Sequence, residues 1–458
     1  MSAPPRAVPR EVPPPPGVAR AFHFPPFLNR RCGNGLRIYA ARVERVPLAT
    51  LELVFPAGGH WDPAGRPGLA TLTASLLDEG TERCGSLDLA RRAEDLGGYL
   101  ASFADWDSGA VEVGLLASEL RPACELLAEV ATAPSFPERE IERLKKLRLA
   151  ELDRRRYEPS ALAEDHLARV LYAGTPYAEP LQGTSESVAR LEREDFLGFY
   201  RHHYALGGAV LIAAGDLDPE ALADRIEATL GGAPTTAAPP PPPIEPPARA
   251  AWTVHVVDRP GASQTELRIG HPGLSRRDPD YVPFLVLNTL FGGKFTSRIN
   301  LNLRERHGFT YGASSRLSGR LGPGPFSIGA GVATASAGAA VREVLEEIER
   351  IRTEPVAPDE LEETRAYVTG VFPYSSQTIG DVAKRLEVLA IYGLPDDYYP
   401  TYLARVAAVD RNELLALAQR HLDPQRLAIV AVGPADQLRP QLEDLGPVEV
   451  IPPAEALG

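Results

Sequence analysis

The chain has 458 residues, more than one ordinary core organises and suited to two or three domains. Its 44% hydrophobic and 24% charged residues are in the range of globular proteins. A net charge of −13 argues against a nucleic-acid binder, which needs a basic face for phosphates.

In chain order, residues 1–21 are rich in proline, where the apolar core of a signal peptide would stand. A disordered leader and a cytoplasmic chain are the expectation, with the periplasm the alternative if the start is misassigned. No run approaches the ~20 apolar residues of a membrane span. LRIYAARV (36–43) and ATLELVFPAGG (49–59) alternate as half-buried strands do. A helix is predicted over 68–78, stopped by Gly80, and another from the cap Ser86 to Gly97-Gly98. Strands YLASFAD and GAVEVGLL follow, then helices from Ser118, over 137–157 and over 160–172. A buried strand at 209–216 and a last helix close this half.

Residues 233–250, APTTAAPPPPPIEPPARA, include five successive prolines and predict a polyproline-like linker. At ~3.1 Å per residue its extended reach is about 40 Å. Beyond it the order repeats. Strands AWTVHVVD and QTELRIGH precede a helix over 280–291, and strands TYGASSRL and PFSIGAGVA precede a long helix. Three helical stretches between Pro358 and His421 lead to the strand LAIVAVG. The fold class is therefore α+β: two duplicated domains, 22–232 and 251–458, each a largely antiparallel sheet covered by helices. Cys32, Cys84 and Cys124 are odd in number and widely spaced, and read as buried small residues rather than a disulfide or metal framework.

The block FGGKFTSRINLNLRERHGFTYGASS (291–315) combines Gly292-Gly293, Ser297-Arg298, Leu303-Arg304-Glu305, Gly308 and Tyr311. It resembles the second, non-zinc domain of pitrilysin/insulinase (inverzincin) peptidases, in their half-sized bacterial form, and the likeness runs from about residue 30 to 450. That resemblance implies that Arg304 and Tyr311 reach the scissile peptide, holding its carbonyl and the oxyanion that develops on it. Taken singly, Arg304 reads as a helix residue paired with Glu305, and Tyr311 as a sheet-edge residue.

Catalytic members carry H-x-x-E-H on the helix after the second strand, two histidines for zinc and a glutamate to activate water. Here the matching positions are Thr71, Ala74 and Ser75, inside GLATLTASLLDEGT. The family's third ligand matches Glu151, which alone makes no site and reads as a solvent-facing helix residue. The family's Asn-Ala after a Gly-Gly turn is also missing: Gly97-Gly98 lead into Tyr99, Leu100 and Ala101. None of the nine histidines forms a paired-ligand motif, and His202-His203 point to different helix faces. The resemblance thus implies a zinc-less subunit with no cofactor of its own. It would supply Arg304 and Tyr311 to a homologous zinc-bearing partner that hydrolyses short unfolded peptides. The competing expectations are a peptide-binding module without hydrolysis and a structural chamber subunit.

Overall fold

The structure, a computed structural model, describes residues 22–234, 236, 239–248 and 251–452. The expected leader over 1–21 lies outside the described residues, as do residues 235, 237, 238, 249 and 250 of the expected linker.

Two six-stranded sheets organise the chain. The first holds β1 (Phe27–Arg31), β2 (Arg37–Arg42), β3 (Leu48–Phe55), β4 (Tyr99–Ala104), β5 (Gly109–Leu116) and β6 (Val210–Gly215). The second holds β7 (Thr253–Asp258), β8 (Gln264–Pro272), β9 (Thr310–Leu317), β10 (Pro325–Ala333), β11 (Ala428–Gly433) and β12 (Val448–Ile451). Their orders, β1-β2-β6-β3-β5-β4 and β12-β7-β11-β8-β10-β9, coincide except at one outer edge. The pairs β2–β6, β7–β11 and β7–β12 are parallel and the rest antiparallel. The duplication read from the sequence is thus a duplication of topology, in two sheet-plus-helix domains.

Several elements differ from expectation. The edge strands β1 and β12 are short, and their exposed residues give no clean alternation. Four helices, not three, lie between 358 and 421: Pro358–Tyr374, Ile379–Tyr392, Tyr398–Ala408 and Arg411–His421. Their boundaries follow from local caps: Thr378 and Asp381 cap each other reciprocally, Gly393 turns left-handed at φ 57°, and Asp410 accepts from the Glu413 amide. The helix expected over 280–291 runs from Tyr281 to Asn288 and then widens into a π-helical turn, Thr289–Gly293.

Each sheet is covered by a helix from the other half. Helix Pro159–Leu171 packs on β8 and β11, and helix Ile379–Tyr392 packs on β2, β3 and β6. Leu162, Ala163, Leu167 and Leu171 share one apolar cluster with Ala428, Val430 and Val432. Val382, Leu386, Leu389 and Ala390 share another with Val210, Ile212 and Ala214. Neither half therefore closes its own core.

The junction also carries a buried carboxylate. Asp107 accepts from the Tyr392 hydroxyl (2.9 Å), the Leu321 amide (3.0 Å) and the Tyr177 hydroxyl (3.2 Å). Beside it, His60 Nε2 donates to the Pro242 carbonyl (2.7 Å) and Trp61 Nε1 to that of Pro239 (3.2 Å). The described prolines thus lie docked across the seam, with Ile244 buried.

Beneath the second crossing helix, Glu52 on β3 stands opposite Glu112 on β5, and the helix adds Glu387 paired with Lys384. Burial, followed by repulsion from Glu387, pushes Glu52 well above the usual carboxylate range. Burial likewise raises Glu387, lifts Asp62 to about 7 and lifts Asp78 to about 6. Each such group binds its proton more tightly folded than unfolded. It therefore lowers stability as pH rises from its unfolded value, near 4, through its folded one. Glu52→Gln should raise the melting temperature at pH 8, with the gain over wild type shrinking as pH falls toward 5. Thermal melts across that range check it, and a lower midpoint for the variant at pH 8 would refute it.

Candidate functional site

In the second half, the segment 291–311 is held by its own polar residues, and Arg304 and Tyr311 take no part in that holding. Gly292 presses against β9: a Cβ there would meet the Ser315 hydroxyl at 2.4 Å and its amide nitrogen at 2.5 Å. Arg298 forms a two-bond pair with Glu360 (2.7 Å each), and Lys294 bonds Glu363 at 2.8 Å, fixing the segment to helix Pro358–Tyr374. Asn302 donates to Glu343 and Glu347 (3.0 Å each), and Asn300 accepts from the Ala313 amide (3.0 Å).

Arg304 lies in the π-helical turn Leu301–Arg306. The turn ends at Gly308, left-handed at φ 65°, whose amide bonds the Arg304 carbonyl at 3.1 Å while the Phe309 amide bonds Leu303 at 2.8 Å. This reversal delivers the chain to Tyr311 on β9, an edge strand. Between Thr310 and Ala313 the register with β10 shifts, so Tyr311 and Gly312 are both exposed. Tyr311 is 91% exposed. Arg304 stacks on Phe295 at 4.6 Å, and its nearest carboxylate, Glu305, is 3.6 Å away. No hydrogen bond joins Arg304 to Tyr311 among the described residues. A contact this long with Glu305, on an exposed partner, contributes little to stability. The guanidinium and the phenol are therefore donors without a strong internal partner, and Phe295 is a neighbour that the sequence reading missed.

In the first half, helix Leu69–Leu76 carries Thr71, Ala74 and Ser75. Its N-terminus is capped at a distance by Asp62, whose carboxylate accepts from the Gly68 (2.8 Å) and Ala70 (2.7 Å) amides. Thr71 and Ala74 are buried, Thr71 donates to the Gly68 carbonyl (3.1 Å), and Ser75 donates to the Thr71 carbonyl (2.9 Å). Against them lies Arg148, one helical turn before Glu151 on helix Glu138–Arg155. Its Nη1 donates to the Thr71 hydroxyl (3.0 Å) and to the Gln182 carbonyl (3.1 Å), and Nε lies 3.5 Å from Glu151. Burial lowers the Arg148 pKa from its ordinary value. Glu151 itself is 54% exposed.

These residues do not fit a zinc ion. Two hydroxyls already bonded to backbone and a methyl group replace the imidazoles and the general base, and a guanidinium reaches into the same place. Among the described residues, no group of three or more His, Cys, Asp or Glu side chains converges on a metal position. Arg148 and Asp62 were not singled out from the sequence. The i, i+3 spacing of Arg148 and Glu151 was the only signal for the first.

Two family models match the chain. One, described as Insulinase (Peptidase family M16), covers residues 37–185, and one described as Peptidase M16 inactive domain covers 190–368. An uncharacterized zinc protease of Streptomyces coelicolor is 24% identical over 406 residues, 88% of each chain. A Helicobacter pylori protein named non-peptidase homolog YmxG is 24% identical over 393 residues, 85% of this chain and 89% of its own. Human cytochrome b-c1 complex subunit 1 is 26% identical over 309 residues, 67% of this chain and 61% of its own. The crystal structure of a peptidase M16 inactive domain from Pseudomonas fluorescens aligns with a TM-score of 0.82 at 27% identity, over 89% of this chain and 98% of that one.

The Arg148 contact sets an expectation for reversal of the site. Thr71→His/Ala74→Glu/Ser75→His should bind zinc weakly at best, because the guanidinium repels a second cation and the imidazoles lack partners to orient them. Adding Arg148→Ala should tighten binding by about tenfold or more. Competition with a chromophoric chelator measures both, and equal affinities would show that Arg148 does not guard the position.

Proposed function

We propose, for a chain that belongs to the insulinase (M16) peptidase family, that it is a zinc-less subunit of a two-chain zinc peptidase. In this reading a homologous, zinc-bearing partner chain holds the metal and its water. Arg304 and Tyr311 of this chain close over the substrate, a short unfolded peptide, from the other side. Residues 22–232 supply scaffold, 251–458 present the Arg/Tyr pair, and 233–250 connect them. The cytoplasm is the compartment this reading assigns, and no described helix is long and apolar enough to cross a membrane.

One observation carries the proposal. The segment 291–311 spends Lys294, Arg298, Asn300 and Asn302 on fixing itself, yet leaves Tyr311 91% exposed and Arg304 with only a long contact to Glu305. Donors fixed on a rigid segment without a strong partner in the chain suit a developing oxyanion, since they need no rearrangement at the moment of reaction. The arrangement of Thr71, Ala74, Ser75 and Arg148 supports assigning the metal to another chain. A second reading, a peptide-binding or structural subunit with no part in hydrolysis, is favoured by one finding: a relative of matching length bears the name non-peptidase homolog.

Co-expression with a homologous chain that has an intact H-x-x-E-H tests the proposal. Peptide cleavage should require both chains. In the purified complex, Arg304→Ala and Tyr311→Phe should each lower kcat by about 10²–10³, with assembly unchanged on size exclusion. Arg304→Lys should rescue poorly, since an ammonium lacks the planar fork of a guanidinium. A rise in KM at constant kcat would make the pair ground-state binders. Unchanged kinetics in all variants would leave the non-hydrolytic reading.

A further inference from the structure

The polar cleft of about 580 Å³ between the halves is not accounted for by either motif. Its floor is the face of the second sheet on which the first crossing helix packs: Gly312, Ser314 and Arg316 from β9, and Ser327, Gly329 and Gly331 from β10. Glu164 and Ala168 of the first crossing helix form one wall, and the loop at Glu179–Gln182 forms another. The volume lies within the ~300–1,000 Å³ of sites that take small ligands.

Glycine inside a strand weakens it and often marks a place where another group approaches closely. Part of this floor is explained by internal packing: a Cβ at Gly329 would meet the Arg268 guanidinium at 2.8 Å. Gly312 has no such reason, since a Cβ there would meet nothing nearer than 4.0 Å. The space above it is open.

The charges of the cleft sort in the same way. Arg155 forms two bonds to Asp165 (2.8 and 3.1 Å), and Arg268 is paired with Glu266. Arg320 is stacked between Trp106 (4.0 Å) and Tyr177 (4.6 Å). Arg316 is exposed, and its side chain has no hydrogen bond, ion pair or ring contact among the described residues. It is the floor's uncommitted cation, while Glu164 and Glu179 leave acceptors on the walls.

Gly312, Ser314 and Arg316 alternate along one face of β9, starting beside Tyr311. At about 3.3 Å per strand residue, Tyr311 and Arg316 stand roughly 16 Å apart. An extended peptide spans that distance with about five residues. Adding the peptide as a further strand along β9 is obstructed, because Asn300 already accepts from the Ala313 amide (3.0 Å) and Asn288 donates to the Ser315 carbonyl (3.4 Å). The face of the sheet is open where its edge is not.

We propose that this cleft binds a short extended peptide whose carboxylate sits on Arg316, about five residues from the point held at Tyr311. The choice of a peptide as ligand rests on the function proposed above. The binding itself needs neither the partner chain nor hydrolysis. A C-terminal carboxylate and an acidic side chain offer the same chemistry to the guanidinium.

The test uses fluorescence anisotropy with the purified full chain alone, at low ionic strength. Three six-residue peptides, fluorescein-labelled at the N-terminus, are compared: one amidated with a single Glu, one with a free C-terminus and Gln in its place, and one amidated with Gln. At least one carboxylate peptide should bind about tenfold more tightly than the neutral one, as expected for a charge-assisted contact. The tighter of the two identifies the source of the carboxylate. Arg316→Gln should abolish the preference, while Arg91→Gln, on a distant exposed helix face, should retain it. Equal binding of all three peptides, no binding of any, or a preference that survives Arg316→Gln would overturn the proposal. Because no partner is present, these outcomes are independent of the kinetics that test the two-chain peptidase.

Discussion

The exchange of helices between the halves is the constraint on which the rest depends. Helix Pro159–Leu171 leaves the first half to cover β8 and β11, and helix Ile379–Tyr392 leaves the second to cover β2, β3 and β6. Burying an apolar helix face is worth about 25 cal/mol per Å², so neither half can give up its borrowed helix without exposing a sheet. The two sheets are thereby locked into one orientation. Asp107 adds direction to that lock, because its buried carboxylate needs the Leu321 amide and the Tyr392 hydroxyl from the other half to replace water. Removing either would leave that buried carboxylate short of a donor.

That lock gives the cleft its form. Its floor is a sheet of one half and its wall a helix of the other, so its width is set by the same packing that holds the core. The duplicated topology places β4 and β9 at equivalent sheet edges, and β9 opens onto the cleft through its bulge at Tyr311 and Gly312. The halves share a fold and have diverged in what their edges present. Tyr99 on β4 donates to Glu112 at 2.7 Å and is engaged, whereas Tyr311 is free of internal bonds.

What the sequence disclosed followed from how local each interaction is. The succession of most strands along each half was recoverable because alternation and repetition are local and occur twice. The block 291–315 was recognisable because its glycines answer backbone demands, the close approach at Gly292 and the left-handed turn at Gly308. The extra helix boundary near 378 was written in Thr378 and Asp381 and was overlooked. The edge strands β1 and β12 are short and only partly buried, and so lack a clear pattern. Asp62 acts on amides 6 and 8 positions away and Arg148 on Thr71, 77 positions away, while the Arg316 side chain has no partner among the described residues; only the i, i+3 spacing of Arg148 and Glu151 points to any of the three. The crossing helices were visible as helices, but which sheet each one covers could not be read from a single chain.

In the first half a cation, Arg148, bonds Thr71 at a position that matches the zinc motif, and a guanidinium and a metal ion differ in what they can do there. A guanidinium offers fixed N–H donors, cannot take a lone pair, and stays protonated at any physiological pH. It can hold Thr71 and the Gln182 carbonyl in place and partly balance Glu151, as Arg148 does. It cannot bind a water molecule and lower its pKa, which is the service a zinc ion performs. Arg148 thus ties helices 69–76 and 138–155 together without offering a means of making a nucleophile. The constraints on the first half are then structural, since its sheet and its exported helix are needed to orient the second. At its surface the second half keeps Tyr311, free of internal bonds, and Arg304, with only a long contact to Glu305.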